Sequence, residues 1–277
     1  MTHILSTINH NERDELISFY ERGHKYEIRV DKKSKYTSVT TWNHSHFAKF
    51  DADAIISSIF KSKAWLPGHK YWGQSAEEIK TSWKNNGIAA STDGTRLHSK
   101  IEKFMNSPFL PPNYTHKELY DFYQLNNVAT DDDSIEWRHF INFIKEYPDL
   151  KPYRTEWMIF NEELKIAGSI DMVYENPDGT LEIYDWKRCK DIIQSSDWNK
   201  RSINPLIEHI HDTNFWHYSL QLNTYKTILE EKYGKIVTKL CLVRLHPDAD
   251  NYELLEVSDL KTEMSVLFEA RRVELEK

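Results

Sequence analysis

The chain has 277 residues, of which 39% are hydrophobic and 13% aromatic, enough to bury a core; 36 Lys and Arg against 43 Asp and Glu give a formal net charge of -7. Eight Gly and nine Pro exclude a collagen-like or low-complexity chain, and no apolar run approaches the roughly 18 residues that cross a bilayer. The two cysteines, Cys189 and Cys241, exclude a disulfide framework and any site built on four cysteines, iron–sulfur clusters included. The expectation is a soluble protein in a reducing, intracellular setting of unspecified compartment, with no membrane association and no targeting segment in the first fifteen residues.

In chain order, Asp14 to Gly23 has a short helical pattern. Tyr26 to Val30 and Tyr36 to Trp42 then read as two strands of a small hairpin about the polar turn 31–35. Helical spacing follows from about Asp51 to Asn86, interrupted at Leu66-Pro67-Gly68, and a separate helix is expected from Asp93 or Gly94 to about Met105. A connection over 108–133 holds one weak helix near Lys117 to Gln124, and a helix from Ser134 to Tyr147 stops at Pro148. Alternation then takes over: Tyr153 to Phe160, Lys165 to Tyr174 and Leu181 to Lys187 read as an antiparallel meander, with Asn176-Pro177-Asp178-Gly179 as its second turn. A helix at about Trp216 to Tyr233, a strand at Lys239 to His246 and a closing helix from Ser258 to Glu276 complete an α/β chain. Residues 1–92 form a mostly helical N-terminal part with a hairpin and 93–277 the core, in one compact body.

Chemistry concentrates on the meander. Asp171 lies on one strand, and the next reads Leu181-Glu182-Ile183-Tyr184-Asp185-Trp186-Lys187. Side chains alternate along a strand, so Asp185 and Lys187 share a face and Trp186 points the other way, leaving its carbonyl near the acids. Carboxylates, a carbonyl and water suit Mg²⁺, and a lysine beside them can orient or deprotonate a water and offset phosphate charge. Alone, Asp-Trp-Lys at a strand end is more often a solvated edge. Three further groups strengthen the reading. His98 and Glu102, four apart, share one helix face, and an imidazole joining carboxylates favours Mn²⁺. Glu156 on the preceding strand is positioned to hydrogen-bond the lysine or a metal-bound water. Gln221 and Tyr225 are again four apart on a helix.

These residues, in this order, resemble the PD-(D/E)xK nucleases, in particular the RecB-like branch. Gly94, His98 and Glu102 match its GxxxHxxxE motif, Asp171 the isolated aspartate, Asp185 and Lys187 the DxK pair, and Gln221 and Tyr225 the QxxxY motif. The segment Tyr36 to Thr41 is also similar to one ahead of the core in mitochondrial genome maintenance exonucleases and related viral proteins. The resemblance implies a restriction-endonuclease-like mixed sheet flanked by helices, and hydrolysis of DNA with Mg²⁺ or Mn²⁺. By the same resemblance His98, Asp171, Asp185 and the Trp186 carbonyl hold metal, and Lys187 orients the attacking water. Glu102 and Glu156 support them, and Gln221 and Tyr225 position the strand or brace the site. Gly168-Ser169-Ile170 stands where the family name has Pro, and the cysteines of the iron–sulfur members are missing, so no such cluster is expected.

Five cations (Lys187, Arg188, Lys190, Lys200, Arg201) against Asp191 and Asp197 leave a local balance of +3 beside the proposed centre. Residues 61–72 hold no acid and interleave cations such as Lys63 with Trp65, Tyr71 and Trp72. Those tryptophans either stack on unpaired bases or fill the core between helices. By analogy with exonucleases whose leading helices enclose the strand, single-stranded DNA ends are the expected substrate. A structure-specific endonuclease on the same core and a non-catalytic DNA-binding module are the alternatives; protein partners are not identifiable.

Overall fold

The computed structural model describes residues 4–125, 134–195 and 199–277. The end of the 108–133 connection and Asp197 lie outside them. Among the described residues there are helices α1 (Ile4–Ile8), α2 (Val39–His44), α3 (Ala52–Lys61), α4 (Ala76–Met105), α5 (His116–Leu125), α6 (Ile135–Glu146), α7 (Asn214–Tyr233) and α8 (Lys261–Leu275). The strands are β1 (Ile17–Tyr20), β2 (Lys25–Ile28), β3 (Thr37–Ser38), β4 (Lys151–Asn161), β5 (Ile166–Glu175), β6 (Leu181–Lys187), β7 (Val237–Arg244) and β8 (Glu253–Glu256). β1 and β2 form a separate hairpin, and the other six make one mixed sheet. None of these helices is long and apolar enough to cross a membrane.

The α/β class expected from the sequence is the one observed. β4, β5 and β6 form the antiparallel meander, closed at its second turn by Gly179 at φ +81. β7 returns parallel to β6 after the α7 crossover, and β8, which the sequence reading missed, adds an antiparallel edge. The sheet is covered on both faces. Ile183, Leu220, Leu222, Ile228, Leu267 and Phe268 form the core toward α7 and α8, while Ile101, Phe140, Phe143, Tyr174, Tyr184 and Trp186 form the core toward α4 and α6.

Three local expectations are corrected. Residues 14–23 are not a helix: a 3-10 turn over Glu12–Leu16 leads into β1, which pairs with β2 because Ile17 and Ile28 are both buried and Phe19 packs on Tyr26. The segment Tyr36–Trp42 therefore does not pair with Tyr26–Val30. Only Thr37 and Ser38 are extended, parallel to Ile166 and Ala167 of β5. The Ser38 hydroxyl then accepts from the Thr41 amide at 3.1 Å and starts α2, whose Val39 and Trp42 are buried against the α7–α8 layer. A cap and burial override the strand preference of Val-Thr-Thr. Lastly, α4 is one 30-residue helix opened by a Ser75–Glu78 capping box, with no break between Asn86 and Gly94. An interior glycine costs a helix only about 1 kcal/mol, and α4 absorbs two, Gly87 and Gly94.

β4 pairs along β5 from end to end except at Asp171, so β3 and β6 share the other edge of β5, at 166–167 and 172–175. Between them, residues 168–171 face helix rather than strand. A Cβ on Gly168 would lie 2.8 Å from Tyr225 Cε1 and 3.0 Å from Val39 Cγ2. Glycine is what lets α7 and α2 close on this gap.

Candidate metal centre and its lysine

The β5–β6 ladder stops at the pair Met172↔Tyr184, one step short of Asp171 and Asp185. There the Asp171 carboxylate takes over from the ladder, accepting from the Trp186 amide at 3.0 Å. On the other edge, β4 and β5 pair at Thr155↔Met172 and Trp157↔Ile170 but not at Glu156 and Asp171. Glu156 has φ +43, a left-handed conformation that is uncommon for any residue but glycine and is found most often where a side chain is being aimed. Ser169 Oγ donates to Glu156 Oε2 at 3.1 Å and holds it there.

His98 arrives from α4 and completes a cluster. Its Nδ1 lies 3.5 Å from Asp171 Oδ2 and 3.7 Å from Glu156 Oε1. One ligand atom from each of the three residues falls within 4.8 Å of the others. On its far side His98 Nε2 donates to the Trp186 carbonyl at 2.9 Å, leaving Nδ1 toward the acids. Of the two partners expected for Glu156, the lysine or a metal-bound water, its place beside His98 and Asp171 suits the second, and the Trp186 carbonyl is engaged by the His98 ring at the edge of the cluster. Burial disfavours a charged His98, but Asp171, Glu156 and Asp185 outweigh it and raise its pKa to about 9. The cluster attracts positive charge.

Asp185 and Lys187 sit immediately alongside, on the α7 face. Asp185 is 1% exposed, and its Oδ2 lies 2.5 Å from Lys187 Nζ yet has no hydrogen bond of good geometry among the described residues. Burial, reinforced by Asp171, outweighs Lys187 and lifts the Asp185 pKa to about 6; burial likewise raises that of Asp171. Lys187 is held charged: burial lowers its pKa, but Asp185 and Asp171 more than reverse this. Its ammonium is also 3.5 Å from Gln221 Oε1 and 4.4 Å from the centre of the Tyr218 ring. Gln221 in turn donates to the Tyr225 hydroxyl at 3.1 Å.

Of the residues expected from the sequence, the structure thus brings together His98, Glu156, Asp171, Asp185, Lys187, Gln221 and Tyr225. Glu102 is half-buried one turn beyond His98, and its carbonyl accepts from Asn106 N at 3.0 Å and from Asn106 Nδ2 at 2.9 Å. The same Asn106 side chain donates to Thr155 Oγ1 at 2.7 Å, tying α4 to β4 next to Glu156. Arg188, expected on a nucleic-acid surface, is instead turned inward, with Nε 2.7 Å from Glu136 Oε1 and Nη2 3.2 Å from Asp93 Oδ2; it fastens the end of β6 to α6 and α4. Lys190, Lys200, Arg201 and Lys63 are exposed. Trp65 is half-buried and Trp72 is 45% exposed, so neither ring fills the core between helices. They pack on each other at 5.3 Å, with Phe60 and His69 beside Trp65, in a head between α3 and α4. Sequence reasoning missed Tyr218, Ser169 and Asn106. Only Tyr218 left a trace, three residues before Gln221 on the same helix face.

No protein-family model matches this sequence, and no curated protein sequence does. Among solved structures it is similar to SSO0001, with 16% identity over 67% of this chain and 71% of that one, at a TM-score of 0.24. It is also similar to "Putative exonuclease" from Eubacterium rectale, with 14% identity over 87% of this chain and 79% of that one, at a TM-score of 0.32. Likeness at this level carries no conclusion about chemistry.

Proposed function

We propose that this chain is a Mg²⁺- or Mn²⁺-dependent deoxyribonuclease that hydrolyses phosphodiester bonds, acting as an exonuclease on single-stranded ends. One observation carries the reading: an imidazole and two carboxylates share a space the size of a cation, next to a buried aspartate and a charged lysine. The donor set of nitrogen and carboxylate oxygen fits a divalent cation, and the buried Asp185 alongside, already paired with Lys187, adds a further carboxylate. His98, Glu156, Asp171 and Asp185 would hold it. A cation so held polarises a phosphate oxygen and makes a bound water more acidic.

The residues themselves divide the remaining work. Lys187 is charged, so it cannot take a proton from water; it donates to the attacking water or a phosphate oxygen and offsets the charge of the phosphorane. Gln221 and the Tyr218 ring fix where that ammonium points. Tyr225, itself fixed against Gly168, fixes Gln221. Lys190 and Lys200 are exposed and available to phosphates; Arg201 is exposed but already donates from Nε to Asn199 Oδ1 and from Nη1 to the His209 carbonyl. The head supplies Trp65, Trp72 and Lys63 for unpaired bases, and its segment 61–76 carries no acid. The motif order that resembles the RecB-like branch supports the same reading.

The test is end-labelled linear single-stranded DNA beside a circular control, with Mg²⁺, with Mn²⁺ and with EDTA, using Asp185→Asn as the blank. Metal-dependent loss of the linear strand alone is expected. Cutting of the circle would make the enzyme an endonuclease. No cutting of single-stranded, duplex or branched DNA with either metal would end the nuclease reading.

A further inference from the structure

His217 precedes Gln221 by four residues on α7, as Gln221 precedes Tyr225, so the three lie in one row along the helix face that meets Lys187. One step of that row is about 6 Å. His217 Nε2 donates to Asp212 Oδ1 at 2.9 Å, and among the described residues Nδ1 has no hydrogen-bond partner. The ring is backed by Phe47 at 4.1 Å between centroids, and it faces His44 of α2 at 5.1 Å. His44 is exposed, and among the described residues its ring makes no hydrogen bond. Neither histidine belongs to the metal cluster.

We propose that His44 and His217 form a phosphate-binding pair at the mouth of the site, receiving a strand phosphate next to Lys187 and taking up a proton from solvent as it binds. The proposal rests on the nuclease reading and gives that site a second contact with its substrate.

An anion, not a second cation, suits the pair. The charge on β6 that acts on His44 is the Lys187 ammonium, the two imidazoles face each other, and the acid that acts on both among the described residues, Asp212, is already bonded to His217. His217 also lies in the first turn of the 20-residue α7, where the helix dipole favours negative charge. The basicities agree with this geometry. Partial burial of its ring against His217, then Lys187, lowers that of His44, and burial, then His44, lowers that of His217, with Asp212 opposing in both. A pair kept neutral chiefly by burial takes up a proton when a phosphate arrives.

The experiment measures binding of a fluorescent single-stranded oligonucleotide in EDTA at pH 8.0, 7.0 and 6.0, for the wild type, His44→Gln and His217→Gln. Wild-type affinity is expected to rise about tenfold across this range through proton linkage. Both variants should match the wild type at pH 8.0 and lose most of the rise. His98 and Asp185 titrate in all three proteins, so the difference in slope isolates the pair. His44 is exposed and its substitution does not threaten folding. Calorimetry in buffers of different ionisation enthalpy should show less proton uptake in each variant. A wild type that cuts DNA, with pH slopes unchanged by both substitutions, would overturn the pair alone. A wild type that neither cuts nor binds DNA would overturn the nuclease reading and the pair with it.

Discussion

The acid-lined end of the sheet and the aromatic head between α3 and α4 are built in opposite ways. At the sheet end the candidate side chains are braced: Ser169 holds Glu156, the Trp186 amide holds Asp171, and Tyr225 holds Gln221. Even the N-terminal turn contributes, since Asp14 accepts from Trp157 Nε1 and pairs with Arg154, gripping β4 on both sides of Glu156. The head buries Ile56 and Ile79 but leaves Phe50 72% and Leu66 61% exposed. Charges brought out of water need fixed partners, whereas rings that meet a flexible strand can remain mostly uncommitted.

The largest effect expected is at the braced end. Asp185→Asn should lower cleavage about a thousandfold through lost stabilisation of the transition state. The melting temperature should change little, because Lys187 keeps Gln221 and the Tyr218 ring; a deep fall in melting temperature would place the pair in folding rather than chemistry.

Next comes a pH effect that sharpens the same contrast from inside the fold. His116 is fully buried, its Nε2 bonded to the Tyr174 hydroxyl at 2.9 Å, and burial lowers its pKa to about 3. The unfolded chain, near 6.5, binds the proton first. Stability is therefore complete above about pH 6.5 and declines as pH falls toward 3, by at most about 1.4 kcal/mol per unit from this one group. Urea midpoints between pH 7 and 4.5 should show a shallower acid decline in His116→Phe.

Gly168→Ala should cost about 1–3 kcal/mol by overpacking against Tyr225 and Val39. It should also depress cleavage at temperatures where the variant is still folded, because Tyr225 positions Gln221. A loss of stability with no loss of rate would separate the packing of α7 from the aim of Lys187. The smallest effect on the fold belongs to the head: Trp72→Ala should leave stability within about 0.5 kcal/mol. It should nevertheless weaken binding of single-stranded DNA, by about 1–3 kcal/mol if a base stacks there. Unfolding of that variant would mean the ring is structural after all.

Legibility in the sequence follows the range of the interactions involved. The runs of β4 to β6 read as strands and Asn-Pro-Asp-Gly as the turn between β5 and β6, and both signals are local. Ser38-Val39-Thr40-Thr41 misled because its β-branched residues speak for a strand, whereas the Ser38 cap and the burial of Val39 and Trp42 against α7 and α8 make a helix. Asp14 to Gly23 misled because Ile17 finds its partner only when Ile28 folds back. In the site, residues four apart on helices and two apart on β6 were readable from periodicity. The left-handed turn at Glu156 was not, because it comes from a missing rung between β4 and β5, nor was the inward commitment of Arg188, which depends on Glu136 and Asp93 meeting it from two helices.

The unbroken α4 acts as a ruler. Trp83, whose indole donates to Tyr71 in the head, and His98 at the acid cluster lie on the same 30-residue rod. Fifteen residues at 1.5 Å each put them about 22 Å apart along its axis. A stacked strand advances about 3.4 Å per nucleotide, so a strand that touches both places spans about six or seven nucleotides. Shorter strands reach one end only, and for a molecule that works as proposed, length becomes the property of its substrate that it measures.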